Sequence, residues 1–232
     1  MSSSSSREET ETLLPRDTPV LQSPDAPLRL NIISGTAVLA QAGIWLTLLT
    51  VWYLTFSTPL ILASYHPLAN TVALVLLVNA ILVLQPTQTG PQKREGAVAH
   101  SVLNGLALLS FVAAVVIIWS NKHVHGAPHF TSVHGKVGLV AAVLLGLQVL
   151  VGLVQYYLPN LLGGEARAKG LYKWHRLAGY LLTALVLVNV TLGTQTPYFL
   201  GKLNRLWVWI VFDVLIVAGL VPRIRPNKMK LL

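Results

Sequence analysis

The stretch Val133–Leu158, VHGKVGLVAAVLLGLQVLVGLVQYYL, decides the fold. Lys136 is the one charged side chain in it. Crossing the hydrocarbon core of a bilayer takes roughly 20 apolar residues of helix, and a backbone at that depth must satisfy its own polar groups, as a helix does. The run therefore reads as a membrane-spanning helix, and it opens on a histidine, His134. Working outward, five further apolar runs stand at about Ile33–Phe56, Leu62–Leu84, Val98–Trp119, Leu171–Leu192 and Leu206–Leu220. Short connections join them, so the expected fold is all-α: a polytopic membrane protein with six transmembrane helices in one bundle. His66, His100 and His175 stand at the starts of the second, third and fifth runs, as His134 does at the fourth.

Composition agrees. Of 232 residues, 53% are hydrophobic and 11% charged, which places the chain among membrane proteins rather than soluble domains. There are no cysteines, which excludes disulfides, iron–sulfur ligation, thiolate zinc sites and covalent c-type haem attachment. The formal charge of +9 invites a nucleic-acid reading, but its distribution removes that need. Followed through alternating loops, thirteen Lys and Arg fall on the side of the N-terminus, and four (Lys122, Lys136, Lys202 and Arg205) on the other. The positive-inside rule then puts both termini in the cytosol. Residues 1–30 read as a disordered cytosolic tail rather than a signal peptide, 31–222 as the membrane domain, and 223–232 as a basic cytosolic tail. Within the first tail, Glu9-x-x-x-Leu13-Leu14 has the form of an acidic dileucine sorting signal, which favours an endomembrane (vacuole, lysosome, endosome or vesicle) over the plasma membrane.

The histidines carry the chemistry. An ionisable ring at membrane depth is costly unless it has a partner. With the N-terminus inside, His66 and His134 share the outer end of the bundle, while His100 and His175 share the inner end. One turn on, His66 and His100 are followed by Asn70 and Asn104, and His134 and His175 by Gly138 and Gly179. Positions i and i+4 share a helix face, so each site has a small or polar residue beside its imidazole, as expected next to a planar cofactor. Two imidazoles make a poor zinc site, since zinc usually takes three or four protein ligands. They suffice for haem, whose porphyrin supplies the other donors. The favoured reading is a b-type haem held non-covalently by two histidines at each end, with the irons about 14 helical residues, or roughly 20 Å, apart. A haem-free, histidine-dependent metal or proton transporter, and a haem-containing membrane subunit fed by another donor, are the alternatives.

Six spans with histidines in the second to fifth, together with the strings SYHP, HFTSVHG and LYKWHRLAGY, resemble the cytochrome b561 family, and in particular its stand-alone b561-domain branch. The resemblance covers about Ile33 to Pro222. It implies a di-haem transmembrane oxidoreductase that takes electrons from cytosolic ascorbate and reduces monodehydroascorbate or a ferric chelate on the far side, with homodimerisation left open.

Four cations, Lys93, Arg94, Lys169 and Lys173, precede the inner pair and suit an anionic donor; by resemblance, Arg94 and Lys169 match family positions that bind ascorbate. Classical members carry a lysine two residues before the third-span histidine, where this chain has Val98. On the outer side, His123, His125 and His129 precede the fourth span and suit a metal-ion acceptor; by resemblance, His123 and His129 are the acceptor positions. Asp213 lies within the sixth span and calls for a polar partner on a neighbouring helix, an Asn or Ser, with Gln41, Asn79 and Gln148 as further interhelical candidates. The six tryptophans are expected mostly to mark span ends.

Overall fold

The computed structural model describes residues 21–229. Six helices long and apolar enough to cross a membrane account for most of it: α1 (Ala37–Phe56), α2 (Tyr65–Leu84), α3 (Gly90–Val124), α4 (Val133–Tyr157), α5 (Glu165–Thr194) and α6 (Leu206–Leu220). Among the described residues there is no strand. Helices α2 and α3 form one antiparallel hairpin and α4 and α5 a second, while α1 and α6 pack on each other. The apolar core gathers Ile44 of α1, Leu74, Val78 and Leu82 of α2, and Ile216 of α6. This is an integral membrane protein.

Two helices start earlier than hydropathy alone suggests. α3 runs for 35 residues and begins at Gly90; α5 runs for 30 and begins at Glu165. A capping box starts α3: the Gln92 backbone N–H donates to Thr89 Oγ1 at 3.4 Å, and Gln92 Oε1 accepts from the Thr89 N–H at 3.3 Å, with Pro91 in the first turn. Lys93, Arg94 and Lys169, which precede the apolar runs, therefore ride on polar helical turns that extend α3 and α5.

Helix α6 is held to α1 by close approach. A Cβ on Gly219 would collide with the Ala40 backbone, and one on Gly43 would lie 2.6 Å from Ile216 Cγ1. In lipid, where apolar surface gains nothing from leaving water, such small-residue contact and interhelical hydrogen bonds drive association. Gln41 Nε2 donates to Asn79 Oδ1 at 2.7 Å, which ties α1 to α2. The partner of Asp213 is neither Asn nor Ser: Thr191 of α5 donates its hydroxyl to Asp213 Oδ2 at 2.6 Å. Trp209 also departs from expectation. It is 1% exposed and packs edge-on to Phe199 and Phe212, so it belongs to the core, whereas Trp45, Trp119, Trp174 and Trp207 are exposed.

The segment before α1 is tied down. Asn31 Nδ2 donates to Val83 O at 2.8 Å, Gln88 Nε2 to Gln22 O at 2.8 Å and Gln92 Nε2 to Ser23 O at 2.9 Å. Residues 21–30, assigned from sequence to a disordered tail, thus pack across the α2–α3 turn, because buried amides find backbone carbonyls there. The motif Glu9–Leu14 lies outside the described residues.

Candidate functional site

The histidines meet in two pairs at opposite ends of the bundle. His66 of α2 faces His134 of α4 with ring centroids 6.0 Å apart and planes at 85°. His100 of α3 faces His175 of α5 at 6.4 Å and 76°. Each pair bridges the two hairpins.

Orientation of the rings comes from within each hairpin. His66 Nδ1 donates to Ala114 O of α3 at 2.8 Å, His100 Nδ1 to Ala80 O of α2 at 2.7 Å, and His134 Nδ1 to Asn189 O of α5 at 3.0 Å. A carbonyl can only accept, so each bond places the proton on Nδ1 and leaves Nε2 unprotonated, with the lone pair that a ligand requires. Ala80 lies fourteen residues after His66 on α2, Ala114 fourteen after His100 on α3, and Asn189 fourteen after His175 on α5. At 1.5 Å per residue this sets the two pairs about 21 Å apart along the helices. His175 differs: its Nδ1 is buried without a partner among the described residues, and its backbone carbonyl accepts from Gln148 Nε2 at 2.6 Å.

Comparison with known families matches residues 65–200, more than half of the chain and the whole of both hairpins, to the family described as eukaryotic cytochrome b561. The chain belongs to the cytochrome b561 family. It is 25% identical over 143 residues to the ascorbate-specific transmembrane electron transporter 2 of Zea mays, a match covering 62% of this chain and 58% of that protein. It is 33% identical over 142 residues to the transmembrane reductase CYB561D2 of Mus musculus, covering 60% and 63%, and 29% identical over 142 residues to the lysosomal membrane ascorbate-dependent ferrireductase CYB561A3 of Danio rerio, covering 59% and 55%. The chain thus spans less than two thirds of the length of these relatives.

Within this cytochrome b561 chain, the residues one turn after each histidine divide into two kinds. Asn70 Nδ2 donates to His66 O at 2.9 Å and lies 3.2 Å from His66 Nε2; Asn104 repeats this at His100 with 2.9 and 3.2 Å. Both amides thus donate to the unprotonated ring nitrogen. Gly138 and Gly179 do not face the rings. A Cβ on Gly138 would lie 3.0 Å from Asn189 Nδ2, and one on Gly179 3.1 Å from Gln148 Nε2. The glycines against the imidazoles are on the opposite helices: a Cβ on Gly193 would lie 3.0 Å from His134 Cε1, and one on Gly152 2.9 Å from His175 Cε1. Sequence reasoning missed these two, although a repeat marks them. His134, Gly138, Gln148 and Gly152 on α4 recur, 41 positions on, as His175, Gly179, Asn189 and Gly193 on α5.

At the His100–His175 end a cavity of about 360 Å³ opens, lined by both imidazoles, Asn104, Gln148, Gly152 and Gly179. Of the four cations proposed from sequence, Lys93 lines it. Arg94 is exposed on α3. Lys169 is exposed and paired with Glu165 at 3.0 Å, and Lys173 lies 5.6 Å from the centre of the Trp174 ring. Arg176, Arg223 and Arg225 line the cavity instead, and sequence reasoning had assigned their charge to the positive-inside rule.

At the other end, Trp119 stacks on His123, with centroids 5.1 Å apart and planes at 5°, and on His129, at 5.4 Å and 22°. His125 turns away and donates from Nδ1 to Asn121 O at 2.6 Å. Among the described residues no group of three or more His, Cys, Asp or Glu is placed to hold a metal ion, so these histidines form an aromatic cluster rather than a closed metal site.

Proposed function

We propose that this chain is a di-haem electron carrier that oxidises ascorbate on the cytosolic side and reduces monodehydroascorbate or a ferric chelate on the other. The observation that carries the reading is the pair of histidine couples. A metal–imidazole bond of about 2 Å, with the ring centre roughly 1 Å behind the nitrogen, puts two rings that share one metal about 6 Å apart; the observed centroids are 6.0 and 6.4 Å apart. The carbonyl bonds at three of the four Nδ1 atoms preset the ligating tautomer. Glycines against His134 and His175 keep the rings' edges free of side chains, and the two hairpins pack tightly within themselves and sparingly on each other, which leaves space between them for a flat group. The residues fit a b-type haem at each end: His66 and His134 would hold one, His100 and His175 the other.

When bound, a haem held by such a histidine pair would supply a one-electron iron couple, which suits electron transfer. The protein's own part is positioning and exclusion. Buried aliphatic residues between the two ends, among them Leu74, Leu77 and Leu145, keep water out. Asn70 and Asn104 present amide donors beside the sites. Cations at the His100–His175 end, Lys93, Arg94, Lys169 and Lys173, draw an anionic donor by long-range attraction. The His123–Trp119–His129 cluster offers a flat, partly exposed platform with imidazole nitrogens for an acceptor. The printed names of relatives support the donor: those from Zea mays and Danio rerio are called ascorbate-specific or ascorbate-dependent. A cytosolic N-terminus follows from the charge distribution, and an endomembrane location from the Glu9–Leu14 motif.

The test is the visible spectrum of the purified protein before and after ascorbate, with haem counted per chain. Two haems and a reduced low-spin b-type band within seconds are expected. Haem that responds only to dithionite removes ascorbate as donor, and a colourless protein removes the whole reading.

A further inference from the structure

The cavity at the His100–His175 end is lined by Lys93 of α3, Arg176 of α5, and Arg223 and Arg225 just beyond α6, with no Asp or Glu among its lining residues. The described acids are engaged elsewhere or lie off the cavity: Glu165 pairs with Lys169 on the surface, Asp213 is held by Thr191, and Asp25 and Glu95 are exposed. Charges at membrane depth are costly unless partnered, so this convergence needs an explanation.

Arg223 has a structural one. Its guanidinium donates to Ser34 O and Asn31 O, both at 2.7 Å, and to Leu82 O at 3.4 Å, which pins the end of α6 to the segment before α1. Arg225 has no such account. Nη1 reaches Thr87 O at 3.3 Å, while Nη2 is buried with no partner among the described residues. A cation placed only by the positive-inside rule would snorkel to water and headgroups; this one turns into the cavity. Burial, and then the neighbouring Arg176 guanidinium, hold Arg225 below the ordinary arginine value, against a smaller opposing effect of Tyr180. The buried Nη2 of Arg225 thus has its N–H groups open to an oxygen acceptor.

We propose that Arg225 and Arg176, with Lys93 at the rim and Tyr180 beside them, form an oxyanion-binding subsite at the mouth of this cavity. The guanidinium fork matches two oxygens of one planar anion. The inference rests on the reading of this end as a haem and donor site. Two sources carry the required chemistry: a propionate of the haem held by His100 and His175, or a free enolate or carboxylate donor of the ascorbate class. The subsite stands apart from the cations proposed from sequence, none of which except Lys93 lines the cavity.

The experiment compares the full-length holoprotein with Arg225→Gln and Arg225→Lys, measuring haem per chain, the midpoint potential of each haem by dithionite titration, and the KM for ascorbate in stopped flow. Arg225 makes one long backbone bond, so both variants are expected to fold, and Lys restores the charge. If a propionate sits there, Gln lowers the midpoint potential or the occupancy of the His100–His175 haem, Lys largely restores it, and KM holds. If a free donor sits there, potentials and occupancy hold, while KM rises on the order of tenfold in Gln, the loss of one charge-assisted hydrogen bond, and recovers in Lys. Equal potentials, occupancy and KM in wild type and Gln overturn the subsite. Haem content in wild type and in His100 and His175 variants tests the underlying reading separately: two haems in wild type and one lost in each histidine variant, with an inert Arg225, mean that the subsite alone is wrong.

Discussion

Substituting Gly152 or Gly193 by alanine isolates the histidine geometry from every other feature of the chain. A methyl at Gly152 would stand 2.9 Å from His175 Cε1 and 3.4 Å from its Nε2; one at Gly193 would stand 3.0 Å from His134 Cε1 and 3.2 Å from its Nδ1. Carbon atoms in contact prefer about 3.5–4.0 Å, so each ring has to retreat by roughly 0.5–1 Å. Metal–ligand bonds tolerate deviations of about 0.2 Å. The ring cannot meet both demands, and overpacking of this kind costs about 1–3 kcal/mol, which weakens cofactor retention about 5- to 150-fold. Gly152→Ala is expected to lose the haem at the His100–His175 end and Gly193→Ala the haem at the other, read as haem per chain with the spectrum of the one retained. Gly146→Ala is the control: it lies on the same helix as Gly152, nothing stands within 4 Å of its Cβ, and alanine favours the helix. Full haem content in both variants, or an equal loss in Gly146→Ala, refutes the argument.

Other outcomes follow from the same geometry. His66→Leu and His134→Leu should each remove one haem, and His100→Leu and His175→Leu the other; four variants with unchanged haem counts would break the pairing. Trp119→Ala removes the ring on which His123 and His129 stack, and should raise KM for a ferric chelate several-fold with haem content intact, as measured by steady-state ferric reduction. Gly219→Leu forces α6 off the Ala40 backbone and should lower the melting temperature in detergent well before Gly105→Leu, whose position has nothing within 4 Å.

Much of this was legible in the chain because histidine is a rare residue at membrane depth and its order along the spans fixes which pairs can meet. Alternation of direction puts His66 with His134 and His100 with His175 before any packing is known. Gly152 and Gly193 were missed for a definite reason. Periodicity within a helix identifies faces, and by that rule Gly138 and Gly179 share a face with their own histidines; what stands against an imidazole is set by the register of the antiparallel partner, which no single helix encodes. The recurrence of His, Gly, Gln or Asn, and Gly across α4 and α5 carried that register and went unread. Arg225 was hidden differently. Its charge already had a sufficient explanation in membrane topology, and only the fold reveals that it turns inward. The early starts of α3 and α5 were invisible to hydropathy, which weighs apolar length and, at α3, ignores a capping box.

The arrangement of bonds separates two tasks that a cofactor site has to perform. Every Nδ1 contact that sets a tautomer lies inside one hairpin: α2 with α3 through Ala80 and Ala114, and α4 with α5 through Asn189. Every ring-to-ring approach lies between hairpins. Three of the four histidines are therefore oriented within their own hairpins with Nε2 unprotonated, and the cost of fixing those rings is met before any ligand arrives. Under the proposed function, a group held by one histidine of each hairpin would tie the two halves together as well as carry electrons. His175 is the exception, since it lacks the carbonyl bond that the other three have. A ring without that bond is a weaker donor to a metal, so a haem held by His100 and His175 would have the higher potential of the two on ligand basicity alone. Cations around the same cavity act in the same direction, because positive charge favours the added electron. Two independent features of the chain thus bias the end at which an anionic donor would arrive toward accepting its electron.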